Sequence, residues 1–201
     1  MKIKKTFMLV FIFIILVSFI FVGCGIKQKT SVNVCSDLVH ANFVKIINNY
    51  AYFSYVILCG GDVVESGLKI ADTKNKDDIK VIGTAKTSGW ANGIFIEDNY
   101  VYIANGKNGL KIIDIRDKNN PKIVGSLSTP GFSNSVSKYG DFVYIAAGTD
   151  GIQVINVSNR EKPFLVNTIK TSGYASDVFA EKAYLYVADG DGGLQIINIS
   201  N

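Results

Sequence analysis

The chain has 201 residues, a formal net charge of +4, 48% hydrophobic residues and only 19% charged residues. Lys2, Lys4 and Lys5 supply much of the positive charge at the extreme N-terminus, so the rest is close to neutral. With no basic run elsewhere, nucleic-acid binding is excluded as an electrostatic expectation. A single histidine, His40, leaves no His-based metal cluster and no recognisable triad with a Ser or Cys, and neither metal nor cofactor is expected.

The first element is a leader. Phe7 to Val22 run apolar behind the lysines, broken only by Ser18, and end in Gly23-Cys24. This is the pattern of a secretory signal peptide. The tetrad Phe21-Val22-Gly23-Cys24 resembles the lipobox of bacterial lipoproteins, with Phe21 where an aliphatic residue is usual. The resemblance implies cleavage before Cys24 and a lipid on that residue. Residues 1–23 are then the signal peptide, 24–30 a polar tether and 31–201 the domain. An uncleaved anchor is the alternative, since the apolar run approaches the length of a span. Either way the lysines keep the leader's start in the cytoplasm and the domain outside it. Cys35 and Cys59 would lie in an oxidising compartment, bridged or as two separate thiols.

Beyond the tether the sequence repeats. Gly67-Leu68, Gly109-Leu110, Gly151-Ile152 and Gly193-Leu194 are spaced 42 residues apart, opening GLKIADT, GLKIIDI, GIQVINV and GLQIINI. Upstream of each lies a Tyr-containing apolar strand: 51–54, 101–104, 143–146 and 185–188. The first unit carries eight extra residues before Gly67, including Cys59, Gly60 and Gly61. Each unit reads as four short strands; in the second they are predicted near 93–97, 100–104, 109–115 and 121–127. Asp98-Asn99 marks a hairpin, Asn105 to Gly109 a tight turn, and Pro121 and Pro163 the start of an outer strand. Strands 101–104 and 112–115 are apolar without alternation, as in strands covered on both faces.

Four-stranded units of this length predict an all-β chain, a β-propeller of four blades with almost no helix. The fourth unit makes only three strands by Asn201. Residues 31–36 align with a fourth strand and would close the ring by pairing near 194–199; the alternative is the front part of a larger propeller. The segments GLKIIDI, GIQVINV and GLQIINI, each behind a Tyr-Ile/Val-Ala strand and a glycine turn, resemble LVIVD repeats over residues 31–201. That resemblance implies a propeller in an extracytoplasmic setting and no agreed activity.

Candidate site residues recur with the repeat. Trp90, Phe132 and Tyr174 each follow a glycine, with His40 aligned to them as a packing variant. They are either inter-blade packing or a rim that stacks on a sugar or peptide. Asn42, Asn92, Asn134 and Ser176 stand just before each first strand, and either cap turns or face a channel mouth, where Asp177 adds a charge. Asp189-Gly190-Asp191-Gly192-Gly193 has two carboxylates but lacks the further oxygen ligands of a calcium loop, and reads as a turn. The expectation is a monomeric, membrane-anchored binding or scaffolding module for an extracytoplasmic protein or glycan. The alternative is an extracytoplasmic hydrolase or lyase using acids clustered on one propeller face.

Overall fold

In the computed structural model the structure describes residues 38–59 and 62–200, and all of them belong to one compact unit. The leader, Cys24, the tether, Cys35 and the strand expected over 31–36 lie outside the described residues. No described helix is long and apolar enough to cross a membrane.

Four antiparallel sheets follow one another along the chain. The first contains β1 (Leu38–Ile47), β2 (Tyr50–Cys59), β3 (Asp62–Asp72) and β4 (Lys80–Thr87). The second contains β5 (Ile94–Glu97), β6 (Tyr100–Ala104), β7 (Leu110–Asp114) and β8 (Lys122–Leu127). The third contains β9 (Ser135–Tyr139), β10 (Phe142–Ala146), β11 (Ile152–Asn156) and β12 (Phe164–Ile169). The fourth has three strands, β13 (Asp177–Glu181), β14 (Tyr184–Ala188) and β15 (Leu194–Asn198). A single 3-10 turn at Gly190–Gly192 is the helical element of the described residues.

The repeat motif explains the local structure. Gly109 and Gly151 hold φ of 70° and 74° directly before β7 and β11, in the left-handed region where a Cβ is unfavourable. The sixth motif position is Asp or Asn because its side chain makes the next turn. Asp72, Asp114, Asn156 and Asn198 each accept the N–H two residues on, at 2.8–3.0 Å. Between these ends the side chains alternate between the two faces of the sheet, and Leu194 and Ile196 of the fourth unit are exposed where their counterparts are buried.

Those faces build three apolar joints. Tyr52, Leu68 and Ile70 of the first sheet pack with Val101, Ile103 and Ile113 of the second. Tyr102, Leu110 and Ile112 of the second pack with Val136, Val143 and Ile145 of the third. Tyr144, Ile152 and Val154 of the third pack with Val178, Leu185 and Val187 of the fourth. The second and third sheets therefore each have a forward face packed on the next sheet and a rear face packed on the one before, while the first is packed on its forward face and the fourth on its rear face.

The first sheet departs from the repeat. Its insertion lengthens the β2–β3 hairpin, which gives β1 partners as far as Leu38, opposite Leu58. His40 therefore stays in strand opposite Val56 and is exposed. It does not pack as an aromatic stand-in, because the segment never turns into the inter-sheet loop that carries Trp90, Phe132 and Tyr174.

Candidate functional site

In the second to fourth sheets the loop before the first strand crosses from one sheet to the next. In the first sheet Asn42 is instead inside β1, at the bulge between Ala41 and Phe43, and the side chains of all four sheets meet at this level. A depression of about 480 Å³ lies there. It is lined by the successive pairs Asn42-Phe43, Asn92-Gly93, Asn134-Ser135 and Ser176-Asp177, together with Phe132. All four sheets contribute to it, and the four predicted amide and hydroxyl positions come together.

The asparagines do more than line the depression. Asn42 Nδ2 donates to the Ala91 carbonyl at 2.9 Å, Asn92 Nδ2 to Ser133 at 3.0 Å and Asn134 Nδ2 to Ala175 at 3.2 Å. Each amide thus clamps its own sheet to the following one, where turn capping alone would have kept it local. Ser176 breaks the series: its hydroxyl donates within its own sheet, to Ala188 at 2.9 Å. Ser135 Oγ donates to the Asp177 carboxylate across the third joint. Asp177 is the one carboxylate among the described lining residues.

The aromatic series splits. Phe132 and Tyr174 lie across glycine turns of the preceding sheet. A Cβ on Gly106 would stand 3.1 Å from Phe132 Cζ and 3.0 Å from Trp90 Cβ, and one on Gly148 would stand 2.8 Å from Tyr174 Cε2. Tyr174 Oη also accepts from Asn134 Nδ2 at 3.3 Å. Phe132 and Tyr174 therefore each pack on a glycine turn of the preceding sheet, while Tyr174 remains 45% exposed. Of the three, Phe132 lines the depression, while Trp90 and Tyr174 do not.

Sequence reasoning missed Phe43 and Ser135. The signal was present: each follows a singled-out position by one residue, at the same repeat spacing. It also missed how closely the loop before each outer strand approaches the preceding sheet. A Cβ on Gly83 would overlap the Lys118 carbonyl and one on Gly125 the Arg160 carbonyl, far inside the 3.0 Å that real Cβ contacts keep. The same loops place Lys118 Nζ 5.3 Å from the Tyr50 ring and the Arg160 guanidinium 4.4 Å from the Tyr100 ring. At the third joint Asn167 replaces the glycine and Phe142 the tyrosine. Both line an open groove of about 600 Å³ with Tyr144, Val166, Ile169 and Ile199.

Two further groups have clear structural roles. Asp189 is buried and its Oδ2 accepts from the Gly173 N–H at 2.8 Å, so the glycine-rich segment 189–193 ties down the preceding loop as part of a turn. Lys138 is buried and pairs with Glu97 across the second joint, donating also to the Gly140 carbonyl at 2.6 Å. Cys59 is free and exposed at the end of β2.

Four antiparallel sheets repeated along the chain, framing one depression of mixed polar and apolar lining, define the protein as an all-β repeat protein. Models of known families then give its place: the LVIVD repeat matches residues 88–129, 130–171 and 172–201, and the chain belongs to that family. Among similar solved structures is that of the computationally designed Ika4 protein. It has a TM-score of 0.61 and 12% identity, covering 85% of this chain and 96% of that one, a likeness of fold alone. No curated protein matches the chain.

Proposed function

We propose that the four sheets are blades of a β-propeller that is exported and held at a bacterial membrane by a lipid on Cys24. It acts there as a binding or scaffolding module for a protein or glycan. The observation that supports this is the convergence of Asn42-Phe43, Asn92-Gly93, Asn134-Ser135 and Ser176-Asp177 on one open depression. Amide and hydroxyl groups beside Phe43 and Phe132 offer directional hydrogen bonds and an apolar surface together, as ligand sites do. The site lies at the sheet starts, held from below by three packed joints, so the scaffold is rigid where the contact is made. The test is binding of the full chain, in detergent or nanodiscs, to glycan and peptide arrays. Ser135→Arg and Asp177→Lys fill the depression without touching the apolar joints. A hit should lose tenfold or more in affinity in these variants; retention of affinity in both places the contact elsewhere.

A further inference from the structure

We propose that the forward face of the fourth sheet docks on the rear face of the first sheet of a second copy of this chain, so that two copies join through two equivalent joints.

The repeat gives every face an internal standard. On rear faces, Val44 holds the position of Ile94, Val136 and Val178, by their pairing with the second strand of each sheet. Those three are 5%, 6% and 4% exposed, whereas Val44 is 60% exposed. Its neighbour Ile46 is 66% exposed where Lys138 and Ala180 are each 8%. On forward faces, Leu194 is 66% exposed where Leu68, Leu110 and Ile152 are each 0%. Ile196 is 59% exposed where Ile70 and Ile112 are 0%. Phe179 adds a further exposed ring to that face.

Among the described residues, one forward face and one rear face are therefore unmated, both with apolar residues of the kind that the three internal joints bury. Uncovered patches of this kind mark interaction sites. Both faces are exposed in the same compact unit, so they do not cover each other within one copy. The occupant follows from continuity with the existing joints. A forward face in this chain mates with a rear face three times over, and a second copy supplies the missing rear and the missing forward face together. A two-fold arrangement then leaves neither face open, as closed homo-oligomers do. This departs from the monomer expected from the sequence. Because Ser176 bonds within its own sheet, the new joint lacks the asparagine clamp and rests on apolar contact, so it separates on dilution more readily than the internal joints.

The test uses the full chain in detergent, with protein mass read by light scattering corrected for the micelle. The parent should show twice the mass of one chain at micromolar concentration. Ile196→Glu and Ile46→Lys should each fall to the mass of one chain. Mixed in equal amounts they should regain the doubled mass, because one joint is then native and the other pairs Glu with Lys. Both positions are exposed in a single copy, so unchanged far-ultraviolet circular dichroism is expected for each variant. As a second measurement, amides of β15 and of residues 44–47 should exchange faster in each variant than in the parent. A parent with the mass of one chain overturns the proposal. So does a mixture that stays at that mass, or parent-like exchange in both variants.

Discussion

Gly125→Ala tests how tightly the sheets are seated on one another. Gly125 lies in β8 outside the left-handed region, so alanine meets no backbone strain there; the only objection is the Arg160 carbonyl. That carbonyl must retreat from 2.0 Å to at least 3.4 Å to reach an ordinary contact distance. It is not free to do so. Arg160 Nε donates to Tyr102 Oη at 3.1 Å, and the guanidinium stacks on Tyr100. Overpacking of this kind costs about 1–3 kcal/mol, while the lost flexibility of glycine in a strand returns about 0.5 kcal/mol. A net loss of about 1.5 kcal/mol lowers the Tm of a chain this size by about 3–6 °C. Thermal melts followed by circular dichroism should show this for Gly125→Ala and likewise for Gly83→Ala. Asn167→Gly, at the position where no described loop is seated, should change Tm by no more than about 3 °C. A Gly125→Ala variant that melts with the parent, or an Asn167→Gly variant markedly more stable, would refute the seating.

Asn92→Ala and Asn134→Ala each remove an inter-sheet clamp, and each should lower unfolding stability by about 1 kcal/mol in urea titrations; additive losses in the double variant are expected only if the clamps act independently. Glu65 is held below the usual carboxylate range by hydrogen bonds from Lys86 and then Tyr55, partly offset by burial. Its folded pKa is depressed, so its contribution is present above the ordinary carboxylate pKa and disappears as pH falls through the folded value. Melts from pH 6 to pH 3 should therefore converge for the parent and Glu65→Gln at the acid end and separate above it. Cys24→Ala should abolish both lipid labelling and leader cleavage in cells, and labelling that persists rules out lipidation at that residue.

Much of the fold could be read from the sequence because the repeat is close to periodic. The strands predicted for the second unit lie within one residue of β5 to β8 at every end, and the glycine turns carry the expected positive φ. The first unit was harder, because an insertion length says nothing about which strand takes up the extra residues. β2 and β3 both lengthened, and β1 followed them, which moved His40 off the aromatic series. The site was legible as positions but not as chemistry. Asn42, Asn92 and Asn134 stood out by spacing, yet a side chain that clamps the next sheet and one that caps its own turn leave the same trace in sequence. Gly83 and Gly125 look like ordinary strand glycines until the neighbouring loop is placed beside them.

The three joints link only sheets that are neighbours along the chain. Stability in such an array behaves as a row of coupled units, each sheet contributing its own term plus one coupling to either side. Within one copy, among the described residues, the second and third sheets enjoy two couplings and the first and fourth one each. Local opening should therefore begin at the ends and run inward, with amide exchange slowest in β6, β7, β10 and β11 and fastest in β15. A variant that weakens the middle joint would then divide one cooperative transition into two, each half unfolding with its own midpoint.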